Sequence, residues 1–204
     1  MASVTDGLVL VTGAGRGSGR AAALALGAAG ARIVCVDVNP DTAERTAKEI
    51  SRAGPAAALA RQVDVSNKMA VQTLLYGLLE AGERLAVLVN AAAIAPHGAA
   101  LTLDEWEWNR TLDVNLKGTF LMAQTVARAM KETGGGLILN VARAGDTTHA
   151  AVSAAAAGLL GLTMALAEEW APFGVSVKVM EASSDPAETA AEVVTRCRGL
   201  WTAR

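Results

Sequence analysis

"LVLVTGAGRGSGR", Leu8 to Arg20, decides how the rest of the chain is read. Leu8 to Val11 is an apolar run without alternation, the pattern of a strand covered on both faces. It breaks into Gly13, Gly17 and Gly19 and then runs into an alanine-rich stretch with helical spacing. A glycine turn between strand and helix lets the backbone come close to a phosphate and offer it N–H groups at a helix N-terminus. Arg16 and Ser18 lie in the same turn. A glycine and serine cluster is also an ordinary loop, so the flanking sequence has to decide between the two.

Further apolar runs follow: "RIVCVDV" (Arg32 to Val38), "ARQVDV" (Ala60 to Val65), "RLAVLVN" (Arg84 to Asn90), "GLILNV" (Gly136 to Val141) and "VSVKVM" (Val175 to Met180). Between them lie segments with helical spacing, such as Arg20 to Ala29 and Thr42 to Arg52. The order is βαβ, which predicts an α/β fold with a doubly wound parallel sheet. Asp37 closes the second run at the distance where a carboxylate accepts hydrogen bonds from adenosine ribose hydroxyls. Its charge repels a 2′-phosphate and favours NAD over NADP, an effect that Arg16 partly offsets. The other reading of Asp37 is a helix cap before "NPDTAER", a role that Asn39 or Asp41 can also fill.

Composition bounds the answer. With 204 residues, 52% of them hydrophobic, and 20 glycines, the chain is long enough for one core, and residues 1–204 are read as a single domain. A formal charge of -2 without like-charge blocks gives no footprint for nucleic acid or an anionic membrane. Cys35 and Cys197 form no CxxC pair, and the start "MASVTDGLVL" has no signal-peptide pattern, so a cytoplasmic location is expected. His149 to Ala167 is uncharged and long enough to span a bilayer. It is mostly Ala, Gly, Ser and Thr and meets Glu168 and Glu169 without interfacial anchors, so a core helix is expected instead.

These residues resemble the short-chain dehydrogenase/reductase family over nearly the whole chain. "TGAGRGSG" resembles its Thr-Gly-x-x-x-Gly-x-Gly turn, with Ser18 where isoleucine is usual. Asp64 and Val65 resemble the pair that flanks the adenine ring. "LVNAAAI" is similar to the Asn-Asn-Ala-Gly strand end, keeping Asn90 and Ala92 but carrying Ala91 and Ala93 at the other two positions. "DVNLKGTF" matches the segment whose asparagine, here Asn115, supports a proton-relay water. The resemblance implies a Rossmann-like fold and a cofactor site at Gly13, Arg16, Gly17, Ser18, Gly19, Asp37, Asp64, Val65, Asn90 and Ala92.

The resemblance also marks what is missing. The family's Tyr-x-x-x-Lys pair falls on Val152 and Ala156, and its serine falls at or near Arg143. Tyr76 is the only tyrosine, and no lysine lies between Lys131 and Lys178. Of four catalytic positions, only Asn115 is retained. Lys178 replaces an asparagine, Ala182 and Ser183 replace Pro-Gly, and the chain ends at "GLWTAR" before the family's final strand. His149 and His97 are candidate replacement acids or bases, although neither has a carboxylate partner at fixed spacing. No His/Cys/Asp cluster has metal-ligand spacing.

The alanine-rich helix from His149 to Trp170 lacks a polar face and is expected to be buried all round. The family packs this helix and the preceding long one, here about Leu103 to Lys131, against another subunit. An oligomer is therefore inferred, against the plainer reading of an internal packing helix. Trp106 and Trp108 either anchor that interface or close the edge of the core. The expected function is a catalytically inactive subunit that assembles with an active NAD-dependent short-chain dehydrogenase. One candidate assembly acts on a hydroxyacyl-CoA such as 2-(hydroxybenzyl)succinyl-CoA. The alternatives are an NAD-binding regulator and an active oxidoreductase with a non-standard acid or base.

Overall fold

The computed structural model describes residues 7–54, 56–95, 99–143 and 149–198. The opening apolar run forms β1 (Leu8–Thr12), flanked by β2 (Arg32–Asp37) and β4 (Leu85–Asn90) in parallel register. β3 (Ala58–Gln62) pairs with β2, while β5 (Gly136–Ala142) and β6 (Val175–Glu181) extend the sheet beyond β4. The order is β3-β2-β1-β4-β5-β6. Chain direction across the sheet reverses between β1 and β4, which opens a crevice at their C-terminal ends, where open α/β sheets bind ligands.

Both faces are covered, as the uninterrupted apolar strands require. α1 (Gly17–Ala28), α2 (Pro40–Ala53) and α7 (Pro186–Arg198) pack on one face around Val9, Val11, Ile33, Leu26 and Ile50. α3 (Lys68–Glu80), α5 (Thr119–Glu132) and α6 (Ala150–Trp170) pack on the other around Leu10, Leu88, Met122, Ile138 and Trp170. The predicted doubly wound α/β architecture is the one observed.

Three local features differ from expectation. The third strand lies earlier than "ARQVDV", because its register with β2 ends at Asp37 and Gln62. Asp64 and Val65 thus leave the sheet and project into the connection to α3. The long helix expected from Leu103 to Lys131 is α4 (Glu105–Leu112), a π-helical turn at Asp113–Gly118, and then α5. Such a turn re-aims side chains within an otherwise continuous helix. The third difference concerns α6, which is not buried all round. Val152, Ala155, Leu159, Thr163, Leu166 and Trp170 form a buried stripe, whereas Leu160 is 42% and Met164 74% exposed. Residues Ala150–Phe173 are long and apolar enough to cross a bilayer by length and composition, with 33% of that stretch's most apolar window buried inside the chain. Trp106 and Trp108 on α4 are also exposed.

The connection from β6 to α7 is only Ala182 to Asp185. The Ala182 N–H donates to the Ala142 carbonyl at 2.8 Å, and the Ser183 N–H donates to Thr189 Oγ1 at 2.9 Å. Ser183 Oγ donates to Glu188 Oε2 at 2.6 Å, and Asp185 Oδ1 accepts from the Ala187 N–H at 2.8 Å. The Asp185 bond satisfies one leading N–H of α7, and the others fix the link against the strand end and the helix.

Candidate functional site

The crevice floor is the glycine turn. Gly13 has φ +66, and a Cβ there would lie 2.8 Å from the Ala91 carbonyl oxygen and 2.9 Å from the Ala92 nitrogen. Only glycine combines that dihedral with that closeness. A Cβ on Gly19 would overlap the Gly13 carbonyl, so α1 starts hard against the turn. Thr12 Oγ1 accepts from the N–H groups of Ala91 and Ala92, at 3.1 Å each, tying the end of β1 to the exit of β4. Arg16 precedes α1 in extended conformation with no side-chain cap, and the first turn carries no acidic residue. Among the described residues the leading N–H groups of α1 therefore have no side-chain acceptor, and the positive end of the helix dipole faces the crevice mouth. Arg16 and Gly17 are exposed and Ser18 is half-buried.

Asp37 sits half-buried beside this turn. Its Oδ2 accepts from the Gly15 N–H at 2.8 Å and its Oδ1 from the Asn39 N–H at 3.0 Å. The cap of α2 is Asn39, whose Oδ1 accepts from Asp41 and Thr42. Asp37 is thus released from capping, and each of its oxygens keeps a lone pair for a further donor.

Asp64 and Val65 lie on the connection after β3. Val65 is buried, and Asp64 is half-buried within a network that the sequence did not reveal. Asp64 Oδ1 accepts from the Ser66 N–H at 2.9 Å and from Ser66 Oγ at 2.6 Å. From α4, Arg110 donates through Nη1 to Ser66 Oγ at 2.8 Å and through Nη2 to Asp64 Oδ2 at 3.1 Å. Burial alone raises the Asp64 carboxyl, but the Ser66 hydrogen bonds and the Arg110 guanidinium outweigh it and hold the group below the usual carboxylate range.

Asn90 is 3% exposed and lies beneath the crevice. Its Nδ2 donates to Asn140 Oδ1 at 3.0 Å, and Asn140 Nδ2 donates to Thr163 Oγ1 at 2.9 Å, a buried ladder across β4, β5 and α6. Asn90 Oδ1 is buried without a partner among the described residues. Ala92 is half-buried at the strand exit. Asn115, in the π-helical turn, accepts from the Ile94 N–H and donates to the Ile94 carbonyl, both at 2.8 Å. It therefore fixes the segment that leaves β4.

The opposite end of the crevice is built differently. Val152, in the first turn of α6, is 1% exposed, and Ala156 is half-buried one turn on. Arg143 is exposed just past the end of β5. Tyr76 points outward from α3 at 63% exposure. His149 occupies the position before α6, while His97 lies outside the described residues. Burial pushes the Cys35 and Cys197 thiols up to about 12, although the Lys178 charge pulls Cys197 slightly back. Neither thiol is a nucleophile at neutral pH. No group of three or more potential metal ligands occurs among the described residues. A groove of 580 Å³ between α2 and the edge strand β3, lined by Lys48, Arg52 and Arg61 among others, shares no residue with this site.

The strand order, the switch-point crevice and the glycine turn define a Rossmann-like α/β protein. The profile of the short chain dehydrogenases matches residues 7–195, and the chain belongs to the short-chain dehydrogenase/reductase family. It is 34% identical over 182 residues to a NAD-dependent glycerol dehydrogenase of Listeria innocua, covering 87% of this chain and 70% of the relative. It is 36% identical over 180 residues to the (2S)-[(R)-hydroxy(phenyl)methyl]succinyl-CoA dehydrogenase subunit BbsD of Thauera aromatica, covering 85% and 71%. Among solved structures, a metagenomic short-chain oxidoreductase in complex with NADP superposes with a TM-score of 0.88 at 33% identity, covering 96% of this chain and 92% of that one.

Proposed function

We propose that this chain is a short-chain dehydrogenase/reductase subunit that binds NAD through an adenosine half-site, carries out no hydride transfer alone, and assembles with an active NAD-dependent relative. The observation that carries the reading is the first two turns of α6, where Val152 and Ala156 offer only hydrocarbon. NAD supplies a hydride acceptor, and the alcohol that loses hydride must also lose its hydroxyl proton to a group within hydrogen-bond reach. Neither residue can take that proton. Asn115, the retained member of the set, has both its amide oxygen and its amide nitrogen engaged by Ile94.

The residues fit the adenosine portion of the cofactor. The unencumbered N–H groups at the start of α1 suit a pyrophosphate, and the spare lone pairs of Asp37 suit ribose hydroxyls. The carboxylate favours NAD over its 2′-phosphorylated form. The exposed stripe of α6 and the exposed Trp106 support association with a second subunit. The similarity to a subunit named for a succinyl-CoA dehydrogenase supports a hydroxyacyl-CoA, such as 2-(hydroxybenzyl)succinyl-CoA, as the assembly's substrate class.

The comparisons favour a second reading, an active NAD(P)-dependent oxidoreductase with a non-standard acid or base, since the similar proteins are named as dehydrogenases and oxidoreductases. His149, one turn before Val152, is the group to which that reading assigns the proton. Assay of the purified chain, alone and mixed with a catalytically complete relative, separates the two. NAD binding and a mixed oligomer without turnover by the isolated chain support the first. Turnover by the isolated chain that is abolished in His149→Ala supports the second.

A further inference from the structure

β3 closes one side of the sheet, and its outer backbone groups can be assigned one by one. The Ile33 N–H donates to the Ala57 carbonyl and the Val63 N–H to the Asp37 carbonyl, each at 3.0 Å, so Ala57, Leu59, Arg61 and Val63 turn their peptide groups towards β2. Those of Ala58, Ala60 and Gln62 therefore point away from the sheet. Two of them are taken within the chain: the Ala58 N–H donates to Ser51 Oγ at 3.3 Å, and the Ala60 carbonyl accepts from Arg61 Nη1 at 2.8 Å. Among the described residues the N–H groups of Ala60 and Gln62 and the carbonyls of Ala58 and Gln62 keep no partner.

The space beside these groups is the groove of 580 Å³ whose other wall is α2. Its lining sets Lys48, Arg52 and Arg61 against Glu44 alone, a positive excess on a chain whose formal charge is -2. Glu44 is already engaged by Lys48 at 2.9 Å, and Arg52 has no acidic partner among the described residues. Leu59 adds an apolar contact at 40% exposure. A second copy pairing β3 with β3 would set these cations against their own kind, so the edge is closed to its like. We propose that β3 and α2 form a docking site for an extended acidic segment of a partner protein, which adds a strand to the sheet edge and sets carboxylates against Arg52 and Arg61. The open N–H and carbonyl groups supply the backbone pairing, and every second side chain of the added strand is sent towards α2. Arg61 caps the Ala60 carbonyl in the free chain, and by moving onto a carboxylate it opens that carbonyl to the incoming strand. The groove shares no residue with the crevice, so the proposal is independent of NAD binding.

A fluorescein-labelled heptapeptide of alternating glutamate and valine tests it by anisotropy against the full chain, with hydrogen exchange followed at the amides of Ala60 and Gln62. Binding is expected, with exchange slowed at those two amides, and raising the salt from about 0.05 to about 0.5 M should weaken it about tenfold or more. The double variant Lys48→Glu, Arg52→Glu, with both changes on the exposed side of α2 and folding checked by circular dichroism, should bind about tenfold more weakly or worse. The same peptide with its backbone amides N-methylated keeps its charge and loses strand pairing, and its binding should be lost. Equal binding of a lysine and valine heptapeptide, or unchanged affinity in the charge-reversed chain, overturns the proposal. Full binding by the N-methylated peptide overturns it too, because charge alone would then suffice. Absence of binding at about 1 mM peptide shows that an acidic strand is not the occupant. Slowed exchange at Ala60 and Gln62 that follows self-association of the chain gives the edge to a second copy instead, and likewise overturns it.

Discussion

The two ends of the crevice are built from different materials. The glycine-turn end is made of backbone: a glycine turn, a helix N-terminus and strand exits, trimmed by Asp37 and Asp64. The opposite end depends on side chains projecting from α6 and β5, and there the chain offers Val152, Ala156 and Arg143. A backbone site persists as long as the fold does, because the same turn that meets a phosphate also lets α1 pack on β1. A side-chain site can be emptied one residue at a time with the fold left standing. The contrast explains how a chain can match its family's profile over residues 7–195 while Val152 and Ala156 present only hydrocarbon near the start of α6.

The sharpest way to break this comparison is Gly13→Val. Its Cβ would press on Ala91 and Ala92 at a dihedral that valine avoids, so a loss of about 3 kcal/mol or more in denaturant unfolding is expected, together with loss of any dinucleotide binding. A stable Gly13→Val protein would mean that the turn is not an integral part of the fold. Val152→Tyr probes the other end. At 1% exposure the position is filled, and forcing a ring into it should lower stability by about 1 to 3 kcal/mol, read as a drop in melting temperature. An unchanged melting temperature would show that room for a phenol persists there, and would move the two ends closer together.

On the proposed NAD reading, Asp37→Ala should weaken NAD binding about tenfold or more, because the acceptor assigned to the ribose and the Gly15 anchor go together. An unaltered affinity would place the ribose elsewhere. The smallest effect concerns Asp64 and Arg110. Because the folded Asp64 carboxyl is held below its ordinary value, its contribution to stability is complete above the unfolded carboxylate pKa of about 4 and is lost as pH falls through the lower folded value. The stability difference between wild type and Arg110→Gln should therefore shrink on acidification below about pH 4. With side chains 33% and 35% exposed, that difference should stay under about 1 kcal/mol even at neutral pH. A difference that does not vary with pH would assign Arg110 to packing.

The legible parts of the sequence were those encoded by neighbours. Apolar runs without alternation gave the buried parallel strands, and Gly13 to Gly19 gave the turn, because each pattern is local. Asp37 was placed by its distance from that turn, although its two roles separated only when Asn39 proved to be the cap. Arg110 was invisible because its partner lies 46 residues away and α4 carries no pattern that points to it. The bond from Asn90 to Asn140 was likewise hidden, since its partner lies 50 residues away on the next strand. The early end of β3 follows from the length of its neighbour β2, a property of the sheet and not of "ARQVDV" itself.

The short link from β6 to α7 carries a consequence for time as well as for shape. Ala182 to Asp185 is tied down at both ends and is too short to fold over the crevice. Ala182 to Asp185 thus supplies no cover that would have to open or close. That link itself therefore adds no slow gating step of the kind a lid imposes.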